Sequence, residues 1–272
     1  MCYRHPERTS YIRCQRCSRA VCLDCQTQAP VGVICPECIQ EARAKAPRVT
    51  QAARALGAPV VTYSLIAITV FVYVLQWIPG LNVTEAIQYG PRYSYGELAD
   101  YGLYEPWRMM TSVFAHDPTS IFHILFNMYT LFIFGRVLEQ QLGRGRFLTL
   151  YLLSGLAGSL GVMYWADLST LVVGASGAIF GLLGAFVVIQ RKLGGEIRGL
   201  FILIAINLVI GFFPGMSIAW QAHLGGLIAG ALIGFILVQT RKPAQRKLQT
   251  GLIWLVFGGM MALVLLHAPM FV

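Results

Sequence analysis

Seven apolar stretches, separated by polar segments, dominate the chain from residue 59 onward. A transmembrane helix needs about 20 mainly apolar residues, and every stretch but the fifth approaches that length. The pattern therefore predicts an all-α polytopic membrane protein with seven spans, since helices satisfy their own backbone hydrogen bonds inside a bilayer. The stretches cover approximately residues 59–79, 120–138, 147–166, 172–190, 199–213, 217–239 and 251–269.

The basic residues suggest an orientation for these spans. If the N-terminus is cytoplasmic, 19 of the 21 Lys and Arg residues fall on the cytoplasmic side, and only Arg92 and Arg108 lie outside. This is the distribution that the positive-inside rule describes. We therefore interpret the net charge of +9 as membrane topology rather than as nucleic-acid binding. We expect an integral protein of a bacterial cell membrane, with a cytoplasmic N-terminus and a C-terminus on the outer side.

All seven cysteines lie in the first 38 residues, outside the apolar stretches. They occur as pairs with a two-residue gap, and one histidine completes the eighth position. Each pair can aim two side chains at one ion, so eight ligands predict two tetrahedral sites, with structural zinc as the expected metal. An odd number of cysteines fits a disulfide framework poorly. The predicted ligands are Cys2, His5, Cys14, Cys17, Cys22, Cys25, Cys35 and Cys38.

The spacing leaves the pairing of these ligands open. An alternate arrangement puts Cys2, His5, Cys22 and Cys25 in one site and Cys14, Cys17, Cys35 and Cys38 in the other. A sequential arrangement is the second possibility. The module resembles B-box-type zinc fingers, which are interaction modules, so a protein partner is expected for it. Thiolate ligands also favour a reducing compartment, in line with a cytoplasmic N-terminus.

Four polar residues inside the apolar stretches are candidates for chemistry, because a polar group within a span is a functional hypothesis by default. His123 and Asn127 in the second span are four residues apart, which places them on one helix face. Ser176 lies in the fourth span and His223 in the sixth. With the predicted orientation, all four fall three to seven residues inside the outer ends of their spans. They would supply a nucleophile, a base and oxyanion donors at one depth.

Glycines predict that the helices of Ser176 and His223 approach each other closely. Small residues four apart let backbones come together within a membrane. The fourth span carries Gly177 and Gly181, and the sixth carries Gly226, Gly230 and Gly234.

Carboxylates are missing from the interior of the spans, since Glu139, the closest, falls at an inner helix end. The arrangement predicted is therefore a Ser–His dyad rather than a triad. Packing against Phe180, one turn after Ser176, would orient the imidazole in place of an acid.

These motifs resemble those of the rhomboid intramembrane serine proteases. The resemblance covers residues 59 to about 240, and a seventh span matches the form of the family that has one extra C-terminal helix. The matching elements are Trp107-Arg108, His123-x3-Asn127, Gly174-x-Ser176-Gly177 and Ala222-His223-x2-Gly226-x3-Gly230. The resemblance implies a six-helix bundle with one additional span.

The resemblance also implies roles for the site residues. Ser176 would attack the scissile carbonyl, and His223 would act as general base and then as general acid. The oxyanion would be stabilised by His123, by Asn127 and by the backbone amide of Ser176, with no catalytic cofactor. Substrates would be transmembrane proteins that reach a cavity open to the outer face. The segment GFFPGMS would cap this cavity with Phe212 and Phe213.

The expected domain organisation has four parts. Residues 1–40 form the zinc-binding module, 41–58 a basic linker, 59–240 the six-helix protease core, and 241–272 a cytoplasmic loop with the seventh helix. His116, in the external loop before the second span, is expected to be structural.

Two other function classes remain open at this stage. A non-catalytic relative that binds client transmembrane helices would share the fold, although the intact serine and histidine count against it. A transporter would explain seven spans, but not why the polar groups gather at the outer depth without a buried carboxylate relay.

Overall fold

The structure is a computed structural model that describes residues 1–28, 32–44, 58–211 and 218–267. The chain divides into two compact units, Met1–Gly57 and Ala58–Val272. Most of the predicted basic linker falls outside the described residues, as do Phe212 and Phe213 of the predicted cap. The finer domain limits given above stay predictions.

Cysteine side chains make up most of the core of the first unit. Six of the seven are buried, with Val21 and Val33 packed among them. So small a unit buries little apolar surface and needs another source of stability. Around this core lie the antiparallel strands β1 (Thr27–Gln28) and β2 (Val33–Ile34), followed by helix α1 (Pro36–Ala44).

The second unit is helical, and each predicted apolar stretch contains a helix. The helices are α2 Val60–Gln76, α3 Val83–Ile87, α4 Arg108–Thr111, α5 Ile121–Thr130, α6 Arg136–Leu142, α7 Arg144–Trp165, α8 Ser176–Leu193, α9 Arg198–Ile210, α10 Trp220–Gln239 and α11 Arg246–His267. A π-helical turn, Leu131–Gly135, joins α5 to α6.

Five helical segments of the described chain are long and apolar enough to cross a membrane: α5 with α6, α7, α8, α10 and α11 with its preceding turn. Two further apolar helices, α2 and α9, are shorter. The 17 residues of α2 extend about 26 Å at 1.5 Å per residue, close to the thickness of the hydrocarbon. The predicted fold class, an all-α polytopic membrane protein, is confirmed.

Helix α7 lies at the centre of the bundle, and small residues let α8 and α10 pack directly against it. A methyl group at Gly158 of α7 would lie 3.2 Å from Cα of Gly177 and 3.1 Å from the carbonyl oxygen of Ala222. Three backbones therefore meet at one level. The meeting point adjoins Ser176 and His223, the two predicted members of the dyad.

The long segment between α2 and α5 is compact and is organised by Arg108. Its guanidinium pairs with Glu105, lies 4.2 Å from the ring centre of Tyr93, and donates to the backbone carbonyl of Gln88 at 3.2 Å. Tyr89 is fully buried and forms an antiparallel bridge with Val172, just before α8. The segment is therefore structured, and the Tyr89–Val172 bridge ties it to the residues that lead into α8.

The opposite end of the bundle is held by Glu139 of α6. Its carboxylate accepts hydrogen bonds from the N–H groups of Val61 (2.9 Å) and Thr62 (2.8 Å) and from the Thr62 hydroxyl (2.7 Å). A carboxylate at the N-terminus of α2 satisfies N–H groups that have no partner within the helix, and it complements the helix dipole. This contact explains how a buried acid is tolerated here.

Candidate active site and metal centres

Ser176 is the first residue of α8, not a residue several positions inside a span as the hydropathy pattern suggested. The apolar stretch begins at 172, but Val172 pairs with Tyr89 and the N–H of Gly174 donates to the carbonyl of Ser112 at 3.0 Å. Gly174 has φ +126°, a backbone conformation that residues with a Cβ rarely adopt. The chain is therefore extended up to Gly174 and becomes helical only afterwards.

This position gives Ser176 a polar surrounding. The first N–H groups of a helix have no intrahelical acceptor, and the helix dipole is positive at that end. Backbone N–H groups at the start of α8 are thus available to a negative group near Ser176. Such fixed donors are what an oxyanion needs.

His223 lies in the first turn of α10 and is 7% exposed. Its ring stacks on Phe180 of α8, with ring centres 4.1 Å apart and the planes inclined by 9°. Within the part of the chain that the structure describes, Nδ1 of His223 has no hydrogen-bond partner. The imidazole is therefore oriented by an aromatic face and not by a carboxylate, as the sequence predicted.

The helices of Ser176 and His223 are in backbone contact. A methyl group at Gly177 would lie 3.3 Å from the carbonyl oxygen of Ala222, and one at Gly226 would overlap the carbonyl of Gly177. Since Ser176 precedes Gly177 and His223 follows Ala222, both side chains project from backbones that touch. The glycine pattern therefore led to the correct helix pair.

His123, in the first turn of α5, lies beside the segment that leads to Ser176. A methyl group at Gly174 would lie 2.9 Å from Nε2 of His123. On the other side of the ring, Nδ1 accepts a hydrogen bond from the N–H of Asp117 at 3.3 Å. A neutral imidazole whose Nδ1 is an acceptor carries its proton on Nε2. The Nε2–H donor therefore lies on the side of the ring that is next to Gly174.

Asn127 lies one turn further along α5 and is 8% exposed. Its Nδ2 donates to the backbone carbonyl of His123 at 2.8 Å. An amide nitrogen has two donors, so one N–H remains after this bond. The backbone around Gly174 and Gly177 thus connects the surroundings of Ser176, His223 and His123. Asn127 contacts this group through the backbone carbonyl of His123.

Two residues near this group were not predicted as part of the site. Gln76 ends α2 and bonds to both backbone groups of His116, whose ring centre lies 5.0 Å from that of His123. His116 had been interpreted only as structural. The signal in the sequence for this contact was a glutamine at the end of an apolar stretch, because a polar side chain there needs a hydrogen-bond partner.

The eight predicted metal ligands form two groups, and the grouping is the alternate one. In each group the ligand atoms all lie within 4.8 Å of one another. The groups are Cys2, His5, Cys22 and Cys25, and Cys14, Cys17, Cys35 and Cys38.

The geometry of both groups suits a tetrahedral ion. The Sγ atoms of Cys17 and Cys35 are 3.6 Å apart, and Nδ1 of His5 lies 3.4 Å from Sγ of Cys22 and of Cys25. Ligands about 2.3 Å from a central zinc would stand about 3.8 Å apart at the corners of a tetrahedron. The N–H of Cys35 also points at Sγ of Cys14, at 3.3 Å, as is favourable for a thiolate. These residues could hold two metal ions.

Comparison with known proteins identifies the family. The Rhomboid domain matches residues 104–240, a range that contains all four residues of the candidate active site. The rhomboid-family protein YdcA of Bacillus subtilis is 38% identical over 142 residues, which are 51% of this chain and 70% of that protein.

Two further relatives match a smaller share of their own length. RHOMBOID-like protein 6, mitochondrial, of Arabidopsis thaliana is 41% identical over 142 residues, 49% of this chain and 44% of that protein. Rhomboid protease GluP of Bacillus subtilis is 34% identical over 180 residues, 64% of this chain and 34% of that protein. The chain belongs to the rhomboid family.

Proposed function

We propose that this protein is an intramembrane serine endopeptidase that cuts transmembrane proteins with a Ser176–His223 dyad. The observation that carries the proposal is the close approach of Gly177 to Ala222. Gly177 follows Ser176 at a helix N-terminus, and Ala222 precedes His223, which is buried and stacked on Phe180. A nucleophile, a base and fixed oxyanion donors are the minimal parts of acyl transfer.

The reaction would proceed in two steps. Ser176 Oγ attacks the scissile carbonyl while His223 takes the hydroxyl proton, and His223 then returns that proton to the leaving amine as the C–N bond breaks. Water next attacks the ester, again with His223 as base, and releases the second fragment and the free serine. In both steps the negative oxygen is stabilised by the N–H of Ser176, the Nε2–H of His123 and the amide of Asn127.

Phe180 would replace the acid of a triad in orienting the imidazole, but not in stabilising its charge. A stacked ring fixes the plane of the imidazole but leaves Nδ1 without a charged partner. The base would therefore be correctly placed without the electrostatic support that a carboxylate gives to an imidazolium.

The proposed substrates are proteins with a transmembrane helix that unwinds easily. A helix hides its carbonyl groups in its own hydrogen bonds, so a segment must open before Ser176 can attack. Helices with glycine or other poor helix formers near one end open at a lower free-energy cost. Such segments are the expected cleavage sites.

The proposed orientation follows the basic residues. Of the 21 Lys and Arg residues, 19 lie on the cytoplasmic side if the N-terminal module is cytoplasmic. The end of the bundle with Ser176 then opens to the outer side of the membrane. In the cytoplasm, the module would hold two structural zinc ions and would dock a protein partner.

Labelling with a fluorophosphonate tests the dyad without knowledge of the substrate. The folded protein in detergent should be phosphonylated at Ser176, as identified by peptide mass spectrometry, and His223→Ala should lower the labelling rate at least about 100-fold. Ser64→Ala, which changes an exposed serine of α2, is the matched control and should label normally. A folded protein that takes up no label at Ser176 would instead be a non-catalytic binder.

A further inference from the structure

Gln76, the last residue of α2, pairs with the backbone of His116 in both directions. Its Nε2 donates to the carbonyl of His116 at 2.7 Å, and its Oε1 accepts from the N–H of His116 at 3.0 Å. The same Nε2 lies 2.8 Å from the hydroxyl of Thr84. A side-chain amide that bonds both groups of one residue fixes that residue in position and in direction, as a paired strand would.

The ring of His116 lies in an environment that is unfavourable for an imidazole. It is fully buried, and among the described residues neither ring nitrogen has a hydrogen-bond partner. Burial, with a smaller contribution from nearby His123, lowers the pKa of His116 to about 3. The ring is therefore neutral at physiological pH and packs beside His123 without charge repulsion. A buried polar side chain with unsatisfied groups calls for an explanation.

The next peptide connects this arrangement to the candidate oxyanion site. The N–H of Asp117 donates to Nδ1 of His123, and this bond directs Nε2–H towards Gly174. The carboxylate of Asp117 is engaged elsewhere, since Oδ1 accepts from the N–H (2.8 Å) and the hydroxyl (2.7 Å) of Thr119. The hydrogen bond that His123 receives therefore comes from the backbone of Asp117, while the carboxylate acts on the ring only through its charge. The position of the Asp117 N–H depends on the preceding residue, His116, whose backbone is bonded to Gln76.

We propose that Gln76 is a positioning residue for the oxyanion site: it clamps the backbone of His116 so that the Asp117 N–H and the His116 ring fix the tautomer and plane of His123. The inference rests on the proposed protease function. It adds that α2, which carries no residue of the dyad, controls transition-state stabilisation. The chain of contacts runs from Gln76 through His116 and Asp117 to His123.

A double-mutant cycle tests the route of this effect. Gln76→Ala should lower kcat about 10-fold, less than the roughly 100- to 1,000-fold that follows removal of an oxyanion donor, because the donor remains but is misdirected. It should change KM less than about twofold. In the His123→Ala background, Gln76→Ala should lower kcat by no more than about twofold, because the donor that it positions is gone. Ser64→Ala, on an exposed face of the same helix, should leave both constants unchanged.

Equal factors in the two backgrounds would overturn the inference, because Gln76 would then act independently of His123. Gln76→Glu provides a second variant that keeps an acceptor for the His116 N–H but loses the donor to its carbonyl. Its kcat should fall between those of the wild type and Gln76→Ala. A Gln76→Glu protein as slow as Gln76→Ala, with an unchanged unfolding midpoint, would contradict the two-way clamp.

A spectroscopic arm separates this inference from the proposed function. The ¹⁵N resonances of His123 in the wild type should show a protonated Nε2 and an unprotonated Nδ1, and Gln76→Ala should shift them towards a mixture of tautomers. This measurement needs no substrate. An inactive wild type with the expected tautomer and its loss in Gln76→Ala would reject the protease and retain the clamp. An active wild type whose tautomer is unchanged by Gln76→Ala would reject the clamp alone.

Discussion

His223 is a buried histidine whose orientation depends on one aromatic contact. The parallel stack on Phe180, at 4.1 Å, fixes the plane of the ring, while Nδ1 has no partner within the described chain. As the proposed base, His223 would be located by packing. Its effectiveness should therefore depend on the shape of its neighbour more than on the charge of that neighbour.

Substitution of Phe180 should separate shape from charge. Phe180→Ala removes the stacking face, and we expect kcat to fall about 10- to 100-fold, because a misaligned base loses most of the contribution of general-base catalysis. Phe180→Tyr keeps the ring and should retain kcat within about threefold. The measurement is single-turnover cleavage by each purified variant. A Phe180→Ala protein with unchanged kcat would show that the stack does not orient the base.

His116 should make the stability of the protein sensitive to acid. Its pKa is lowered by burial to about 3 in the folded state, against an ordinary value of about 6.5 in the unfolded chain. Below pH 6.5 the unfolded chain therefore binds a proton that the folded protein does not, and stability falls with pH by up to about 1.4 kcal/mol per unit. Between pH 7 and pH 5 the loss should approach about 2 kcal/mol.

The measurement is the free energy of unfolding in detergent at pH 7 and pH 5, with His116→Phe as the comparison. On acidification, the free energy of unfolding should fall less for His116→Phe than for the wild type. The difference should be nearly the whole loss that protonation of one buried histidine causes. His123 and Asp117 also face this site, and they remain in both proteins, so their titration is largely common to the two. An identical pH dependence in the two proteins would contradict the neutral, buried state of His116.

At the scale of the helices, the contact of α8 with α10 depends on glycine. A methyl group at Gly230 would overlap the backbone of Gly181, and one at Gly234 would lie 2.8 Å from Cα of Ala185. Neither neighbour is a flexible side-chain end that could move aside. The two helices would have to separate, and with them Ser176 and His223.

Gly230→Ala should therefore destabilise the bundle by about 3 kcal/mol, at the upper end of the usual range for overpacking. Gly258→Ala in α11 is the matched control, because a methyl group there meets no atom within 4 Å. The control should be neutral or stabilising by up to about 1 kcal/mol, since alanine is the better helix former. Equal unfolding free energies for the two variants would contradict the close approach of α8 and α10.

The start of α8 shows where sequence reasoning was sufficient and where it was not. Hydrophobic length and glycine spacing are local signals, and they predicted the spans and the pairing of Gly177 with the histidine helix. The predicted position of Ser176, several residues inside its span, was wrong, because Ser176 is the first residue of α8. The apolar run continues through Val172, whose extended conformation depends on a bridge to Tyr89.

The clamp on His116 was missed for a similar reason. Gln76 and His116 are 40 residues apart, and their bonds use backbone groups that every residue has. The glutamine at the end of an apolar stretch signals that a partner is needed, but no pattern of residue types identifies the backbone groups that supply it. In the first unit, by contrast, the candidate ligand atoms are themselves in side chains, so the spacing of cysteines predicted two groups of four, although it left their pairing open.

At the scale of the whole molecule, the two units should differ in what stabilises them. The core of Met1–Gly57 consists mainly of cysteine side chains grouped as metal ligands, whereas Ala58–Val272 has an extensive apolar core. Metal binding would then supply most of the folding free energy of the first unit. The second should fold without it.

Chelation should therefore unfold the module and spare the membrane unit. After treatment with a strong zinc chelator, all seven cysteines should react with a thiol reagent, and hydrogen exchange should increase within residues 1–44 but not in α7, α8 or α10. A chain beginning near residue 50 is the control and should keep its unfolding midpoint and its fluorophosphonate labelling. Loss of labelling in that shortened chain would show that the module belongs to the catalytic unit.

The most direct test of the proposed protease is cleavage in a membrane by the purified protein. In liposomes, the wild type should cut a single-span test protein that carries a glycine-containing, easily unwound segment near one end of its helix. Ser176→Ala and His223→Ala should each lower kcat at least about 1,000-fold, as expected when either member of a catalytic unit is removed. Cleavage that persists at the wild-type rate in both variants would contradict the Ser176–His223 dyad.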